Sequence, residues 1–329
     1  MIISKYRFII FCPKGVRTGG PEALHQLVAT LVKLNREAYI VYYGDHSAED
    51  VFQEYDVPKL EKIKPSERDI VIAPEVSTWL LNKREVHKKV IYWLSVDNYL
   101  KQFIPLKKCF TPKRIKRFLQ NRMHYSFDKL NFSDYHLYQS EYARNFLLEN
   151  LRSKRDKVFE ISDYMPKLVR QAATEEIPKD KRDIVAYNPK KLGVFGAEVL
   201  RNLSDIRLVE LAGMTGDELF ECLKKSKIYI DFGPHPGKDR IPREVAAAGC
   251  LLLVGLRGSA AFYKDVPLDN RYKIDIRNAD PVATAKDIRQ LLRDYRGHVE
   301  SIETARLEVA QSKKLYVAQV KHWLEVESL

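Results

Sequence analysis

The stretch HPGKDRIPREVAAAG, residues 235–249, places cations and one glutamate at the start of a predicted helix, just after the predicted buried strand SKIYIDFG. The amino end of a helix carries partial positive charge, so Lys238 and Arg240 beside it repel that end unless an anion joins them. Glu244 can accept hydrogen bonds from the vicinal hydroxyls of a ribose. A favourable interaction with the positive end of the helix dipole would by itself explain Glu244, but it would not explain the two cations. The stretch therefore predicts a site for a phosphorylated ligand.

A second candidate loop, PKGVRTGGPEALHQL, follows the first predicted strand. Gly19 and Gly20 allow a ligand to approach the backbone closely, and the free amides of the helix start could hold a phosphate. The loop is neither a P-loop nor a GxGxxG fingerprint. An ordinary turn from strand to helix explains it equally well.

The elements that must position these residues are alternating strands and helices. The predicted strands are YRFIIFC, AYIVYYG, DIVIAPE, KVIYWLSV, YHLYQS and KVFEISDY, followed by DIVAYNP, IRLVELAG, KIYIDFG, LLLVG and YKIDI. Thr215 and Glu218 have the spacing of a capping box, which predicts a helix start. We expect an α/β protein of two doubly wound, Rossmann-like domains facing a cleft, with ligands beyond the carboxyl ends of the strands.

The alternation of strands and helices is interrupted once, and this interruption gives the predicted domain boundaries. Residues 1–164 form the first domain, and residues 165–182, with mixed charge, two prolines and no sustained period, form a linker. Residues 183–298 form the second domain. A long helical tail, 299–329, closes the chain with an apolar set at helical spacing: Val309, Leu315, Tyr316, Val320 and Trp323.

The amino-acid composition indicates the class of binding partner and the cellular location. The 329 residues carry 56 Lys and Arg against 44 Asp and Glu, a formal charge of +12, which favours an anionic partner. The four cysteines are far apart, as is typical of free thiols in a reducing compartment. The first residues lack the pattern of a signal peptide, and no apolar run reaches the ~18 residues of a membrane span. We expect a cytoplasmic location.

Several segments together resemble GT-B glycosyltransferases of the group 1, family-four type. Gly19-Gly20-Pro21-Glu22 resembles their GGxE loop, and YHLYQSEYARNFL resembles the end of their amino domain. The segments VELAGMTGDELFECLKKSKIYIDFG and REVAAAGCLLLVGLRGSAAF resemble their carboxyl domain, and YNPKK stands where they place a basic residue. The resemblance implies an acceptor-side amino domain, a donor-side carboxyl domain and a tail that packs back on the amino domain.

The resemblance also implies roles for individual residues. Glu244 corresponds to the second of the family's paired glutamates, which holds the donor ribose, and Lys190 or Lys191 lies near the donor diphosphate together with Lys238 and Arg240. The remaining donor-side candidates lie near the base, the sugar or the diphosphate: Gly19, Gly20, Gly213, Met214, His235, Gly237, Gly258 and Ser259.

Two positions depart from the family pattern. Pro236 stands where the first paired glutamate belongs, so that His235, the Gly237 backbone or Asp239 must contact the donor sugar in its place. The histidine that often follows the fourth strand is also missing. Ser95, Asp97 and Asn98 stand in that region, and we take Asp97 as the candidate catalytic group there.

The predicted chemistry is transfer of a sugar from a nucleotide-diphosphate donor. Cations and helix amides can stabilise the departing diphosphate, and Lys190, Lys191 and Arg240 are the candidates. No DxD sequence occurs, so we expect neither a metal site nor a bound cofactor. The resemblance implies retention of anomeric configuration without a covalent nucleophile. Two alternatives stay open, a nucleotide-sugar epimerase of the same fold and a non-catalytic anion-binding protein.

A basic run between Asn98 and Phe127 contains no acidic residue. Lys113, Arg114, Lys116 and Arg117 are interleaved with apolar side chains, which favours an acceptor site or an anionic membrane surface. A solvated helix face would have the same composition. No nucleic-acid-reading module is recognisable, so we expect a glycan or lipid-linked acceptor, in the synthesis of bacterial surface polysaccharides, and no nucleic acid.

Overall fold

A computed structural model describes residues 5–45, 47–82, 85–102, 124–153 and 155–329 of the chain. The chain divides into two compact units, Met1–Tyr164 with Lys314–Leu329, and Met165–Lys313. Each unit is built on one parallel sheet. The two parallel-sheet units confirm the predicted α/β class with two doubly wound domains.

The sheet of the first unit has six strands in the described residues, all of its pairs parallel. They are β1 Arg7–Pro13, β2 Glu37–Tyr43, β3 Asp69–Pro74, β4 Lys88–Trp93, β5 Tyr135–Tyr138 and β6 Val158–Glu160, in the order β2-β1-β3-β4-β5-β6. The strand order reverses between β1 and β3. That is the position at which ligands bind in open α/β sheets.

The strands of this sheet are buried on both faces, as parallel strands usually are. Phe8 and Ile10 of β1 belong to one core cluster, and Ile9 and Phe11 belong to another, because successive side chains point to opposite faces. The α-helices of the unit, apart from the end of the chain, are α1 Gly19–Lys33, α2 Val96–Leu100 and α3 Glu141–Asn150, with 3-10 turns at Gln53–Tyr55, Glu75–Leu81, Phe127–Phe132 and Arg155–Lys157.

The second unit has a five-stranded parallel sheet in the order β11-β10-β9-β7-β8. Its strands are β7 Arg182–Tyr187, β8 Arg207–Glu210, β9 Ser226–Asp231, β10 Leu251–Gly255 and β11 Lys273–Ile274. Its helices are α4 Lys167–Ala172, α5 Gly193–Arg201, α6 Gly216–Lys225, α7 Arg240–Ala247, α8 Pro281–Arg293 and α9 Tyr295–His298. Shorter 3-10 turns lie at Pro189–Lys191, Gly258–Ala261, Asn270–Tyr272 and Val299–Ile302. The capping box of Thr215 and Glu218 at the start of α6 is confirmed.

Residues 165–182, expected as a linker, lie inside the second unit instead. They include α4, and Met165, Val169 and Ala172 are buried in the core of that unit. Their spacing of four and three residues places them on one helical face, which needs an apolar neighbour. The ammonium group of Lys181 donates to three backbone carbonyls, those of Leu223, Lys224 and Ser226, and so fixes the end of the segment.

The last helix, α10 Glu303–Val326, has residues in both units. Val309 is buried in the core of the second unit, whereas Tyr316, Val320 and Trp323 are buried in the core of the first. Leu315, expected in the same apolar set, is 46% exposed. Among the residues that the structure describes, no helix is both long enough and apolar enough to cross a membrane.

Candidate nucleotide-sugar site

The predicted donor-side residues of the second unit follow four strands that are neighbours in the sheet. Lys190 and Lys191 come after β7, Gly213 and Met214 after β8, the stretch from His235 after β9, and Gly258 and Ser259 after β10. All pairs are parallel, so these loops lie at one edge of the sheet. The strand order reverses between β7 and β9, which is where ligands bind in open α/β sheets. The loops with most of the cations follow these two strands.

Backbone contacts join these loops. The Ser259 amide donates to the His235 carbonyl at 2.9 Å, and its hydroxyl donates to the Gly237 carbonyl at 2.6 Å. Gly258 has a φ of +54°, and a Cβ there would lie 2.1 Å from the His235 oxygen. A Cβ on Gly233 would lie 2.8 Å from the Lys191 backbone. The glycines therefore allow the three loops to pack closely.

The two lysines after β7 differ in surroundings. The side chain of Lys190 is exposed, and its backbone amide donates to the side chain of Asn188. Lys191 instead reaches the loop after β9, where its ammonium group donates to the Pro234 carbonyl at 2.6 Å and pairs with Asp239 at 2.5 Å. Lys191 is therefore held in place by its contacts.

His235, expected to touch the donor sugar, is fully buried. Its Nδ1 lies 3.2 Å from Asp239 Oδ2, and its Nε2 lies 3.4 Å from Asp231 Oδ1. The ring contacts two carboxylates and leaves no surface for a ligand. A direct contact between His235 and the sugar does not fit this placement. The backbone carbonyl of His235 accepts a hydrogen bond from the Ser259 amide, which ties this buried position to the Gly258–Ala261 turn.

The cations of the opening stretch surround the start of α7. Within the described residues, this helix has no side-chain N-cap, because the carboxylate of Asp239 points to Lys191 and His235. Amides of the first turn are the donors that an anion can use. The guanidinium of Arg243 donates to the carbonyls of Lys238 and Asp239 and so fixes the turn. Sequence reasoning missed this bracing role of Arg243.

Glu244 lies one turn into α7, partly buried, with an oxygen 3.8 Å from the Arg240 guanidinium. Burial raises the pKa of this carboxyl, while the charges of Arg240 and Arg243 oppose the rise. A partly desolvated carboxylate is a strong hydrogen-bond acceptor for hydroxyl groups. The position is suited to the ribose contact that the resemblance implies.

The change Glu244→Gln is expected to weaken binding of a nucleoside diphosphate by about 1.5–3 kcal/mol, because charge-assisted hydrogen bonds to a diol are lost. Calorimetry with the nucleoside diphosphate that binds most tightly, and with the 2′-deoxy analogue of that nucleotide, measures the loss. The wild type should discriminate between the two, and the variant should not. Glu221→Gln, which removes an exposed ion pair with Lys224, is the matched control. Equal nucleotide affinities of the wild type and Glu244→Gln would remove Glu244 from the site.

Gly213 and Met214 follow β8 next to the edge that carries the lysines. Gly213 is exposed with a φ of +68°, and Met214 is partly buried against the core of the unit. An exposed glycine beside an apolar side chain forms a flat, accessible surface. The placement is compatible with the expected contact to a nucleotide base.

The candidates of the first unit lie at the carboxyl edge of its own sheet. Gly19 and Gly20 open α1 directly, and a Cβ on Gly20 would lie 3.5 Å from the Leu94 side chain. Asp97 lies in α2, which begins after β4, and its Oδ1 accepts a hydrogen bond from the Tyr142 hydroxyl at 2.8 Å. That contact fixes the Asp97 carboxylate against α3.

Glu75 is a further buried carboxyl at this edge, and it was not predicted. It directly follows β3, is 2% exposed and accepts a hydrogen bond from the Leu94 amide at 2.9 Å. Burial raises its pKa to about 8, although backbone hydrogen bonds from Leu94 and Ser95 act in the opposite direction. No spacing pattern marks the residue, because its partners come from a different loop. Its contacts hold the loop that precedes Asp97.

Two predictions remain, one on the basic run and one on metal binding. Lys113, Arg114, Lys116 and Arg117 lie outside the described residues. Over the parts of the chain that are described, no group of three His, Cys, Asp or Glu side chains could hold a metal ion.

Comparison with known proteins gives a clear result for the fold. No protein-family model matches the sequence, and no curated protein is significantly similar to it. Among solved structures, HepE of Anabaena, determined in complex with UDP, is 11% identical, with a TM-score of 0.63 over 98% of this chain and 100% of that one. A glycosyltransferase from Rickettsia africae is 14% identical, with a TM-score of 0.59 over 98% of each chain.

The sucrose-phosphate synthase of Thermosynechococcus elongatus is also similar, at 9% identity and a TM-score of 0.64 over 97% of this chain and 98% of that one. HepE has in addition been solved with UDP-glucose. Identities this low show a shared fold. The likeness extends over both units and shows that the chain has the same two-domain fold, GT-B, as these solved structures.

Proposed function

We propose that this protein is a hexosyltransferase that moves a sugar from a nucleotide-diphosphate sugar to a glycan or lipid-linked acceptor. The observation that carries the proposal is the cluster of cations and helix amides at the strand-order reversal of the second unit. Lys191 and the start of α7 meet there, and Arg240 and Glu244 lie on the same helix. This arrangement can hold a diphosphate and a ribose side by side.

The chemistry of transfer requires stabilisation of the negative charge that develops on the departing diphosphate. Fixed donors do this well, because they need no reorganisation during the reaction. Lys191 is such a donor, since its ammonium group is already oriented by the Pro234 carbonyl and Asp239. Lys190, Lys238 and Arg240 add positive charge. We propose that these groups act without a metal ion and that the reaction retains the anomeric configuration.

The comparison with HepE supports the donor class, because that protein was solved with UDP-glucose and shares the fold. The acceptor side of the proposal rests on the basic run between Asn98 and Phe127, which would attract an anionic lipid surface or a lipid-linked acceptor. We therefore propose work at the inner face of a bacterial cell membrane, in the synthesis of surface polysaccharide.

The test is a panel of UDP-, GDP- and ADP-sugars incubated with the purified protein. Released nucleotide is measured without acceptor, with glycans, and with lipid-linked acceptors in anionic vesicles. We expect one donor to release nucleotide faster when its acceptor is present, and EDTA to leave most turnover intact. The anomeric signals of the product in NMR then report retention.

Each of the other possible outcomes would indicate a different function or mechanism for this protein. Interconversion of sugars without acceptor would indicate an epimerase. Binding of a nucleotide sugar without any release would indicate a non-catalytic binding protein. Activity that EDTA abolishes and manganese restores would mean that a metal ion, rather than the lysines and Arg240, stabilises the diphosphate.

A further inference from the structure

A cavity in the second unit lies between α6 and the strands β7 and β8, apart from the proposed donor site. Its volume is about 370 Å³, within the range of pockets that hold small molecules. Two arginines line it, Arg182 at the start of β7 and Arg207 at the start of β8. The proposed donor site follows the carboxyl ends of these strands. The cationic end of the cavity and the donor site therefore lie at opposite edges of one sheet.

The strand register brings three cations of the cavity together. Arg207 pairs with Ile184, which is two residues after Arg182, so that both arginines lie on one face of strands about 5 Å apart. Lys225 is the last residue of α6, and the residue after it, Ser226, pairs with Arg182. Lys225 lines the cavity as well. One end of the cavity is therefore strongly positive.

These three cations are not neutralised by the protein. Among the residues that the structure describes, none of the three side chains has a hydrogen bond or an ion pair. The two acidic residues of the cavity have partners of their own. Glu221 pairs with Lys224 at 2.8 Å, and Glu218 Oε2 accepts hydrogen bonds from the amide and the hydroxyl of Thr215. A phosphate group suits the cationic end, because two planar guanidinium forks and one ammonium group can contact its oxygens together.

The rest of the cavity has a different chemistry. Its floor is apolar and consists of Ile184, Val209 and Cys222. Glu218 lies seven residues before Lys225 on α6, about 10 Å away along the helix axis. The capping box uses its Oε2, so that Oε1 can accept a hydrogen bond from a ligand hydroxyl. The cavity therefore fits a small ligand with a phosphate at one end and hydroxyl groups at the other.

We propose that this cavity binds a monosaccharide phosphate. The phosphate lies between Arg182, Arg207 and Lys225, a sugar hydroxyl donates to Glu218, and the C–H face of the ring lies on the apolar floor. A pocket that combines apolar walls with a few polar groups at fixed positions is typical of small-molecule sites. The proposal does not rest on the proposed function, because no residue of the donor site takes part in it.

The first test is calorimetry of the full chain with glucose 1-phosphate, glucose 6-phosphate, mannose 6-phosphate, fructose 6-phosphate, inorganic phosphate and glucose. We expect one or more of the hexose phosphates to bind about tenfold more tightly than inorganic phosphate, and glucose not to bind, because both the charge and the sugar contribute. Binding by none of the hexose phosphates, or equal binding of inorganic phosphate, would overturn the proposal.

Arg207→Gln should lower the affinity for the hexose phosphate by about tenfold, since one charged hydrogen-bond donor is lost. The matched control is Arg201→Gln, which removes an exposed guanidinium from α5 and should keep the affinity of the wild type. Wild-type affinity of Arg207→Gln would exclude the phosphate from the predicted end of the cavity and so contradict the proposal.

The second test locates the ligand without a substitution. Cys222 lies on the floor of the cavity and is a partly exposed free thiol, so that iodoacetamide can modify it. The bound hexose phosphate, at ten times its Kd, should slow this reaction about tenfold, because about one molecule in ten then has an empty cavity. Glucose should not slow it. Mass spectrometry of the peptide that contains Cys222 gives the rate.

An unchanged rate at Cys222, with the hexose phosphate bound, would show that the ligand lies elsewhere and would refute the second site. Lys191→Met then shows whether the ligand occupies the proposed donor site, because only in that case does this change weaken its binding. The panel of nucleotide sugars tests the proposed function separately, so that either proposal can fail without the other.

Discussion

Replacing Lys191 by methionine is expected to lower turnover by about 10²–10³-fold, equivalent to about 2.7–4 kcal/mol of transition-state stabilisation. Methionine keeps most of the length of the side chain but removes the charge that the Pro234 carbonyl and Asp239 orient. Steady-state kinetics with the donor and acceptor identified by the panel measure the effect.

A structural role alone would not produce this pattern. The melting temperature of Lys191→Met should change far less than its turnover. Lys190→Met should lower turnover less. The Lys190 side chain is exposed, and an ammonium group that is not held in position stabilises a transition state less than one that is. Lys286→Met, an exposed lysine on α8, serves as the control for loss of one positive charge. Turnover of Lys191→Met close to that of the wild type would show that the diphosphate is stabilised elsewhere.

The second large effect is expected at Arg306, which is 3% exposed and joins two helix ends. Its guanidinium donates to the carbonyls of Ala246 and Ala247 at the end of α7, to that of Ala172 at the end of α4, and to that of Glu175 in the turn that follows α4. Arg306→Leu leaves these carbonyls without their charged donor. We expect the second unit to lose about 3–5 kcal/mol of unfolding free energy.

Denaturant unfolding, followed by circular dichroism, measures this loss. Arg306→Lys should recover only part of it, because a single ammonium group cannot match a planar fork that reaches two helices. Arg296→Leu removes an exposed guanidinium that donates to the Pro178 carbonyl at 3.3 Å and lies 5.7 Å from the centre of the Tyr295 ring, and it should change stability by less than about 0.5 kcal/mol. Equal stability of Arg306→Leu and Arg296→Leu would show that other groups donate hydrogen bonds to these carbonyls in the variant.

The fold was largely predictable because its signals are local. Each of the eleven predicted strand segments overlaps an observed strand, because a short apolar run between turn residues is typical of a buried strand in a parallel sheet. The segment 165–182 was misassigned for the opposite reason. Its prolines suggested a linker, although Met165, Val169 and Ala172 carry a helical spacing that only the core of the second unit explains.

The site was predictable in part. The cations of the opening stretch and Glu244 could be found because they adjoin one helix start. The partner of Asp239 could not, because Lys191 lies 48 residues away in the chain. A pattern was nevertheless present, since Asp231, His235 and Asp239 are spaced by four residues. Only burial shows that the three side chains converge beneath the loop rather than face a ligand.

The division of α10 between two cores has a consequence for biosynthesis. Tyr316, Val320 and Trp323 fill the core of the first unit, but the ribosome adds them after the whole second unit. Domains usually complete folding in the order in which they are made. Here the second unit is one continuous piece of chain, and the first is not. The earlier-made unit must therefore wait, with part of its apolar surface uncovered, until the later-made unit has been synthesised.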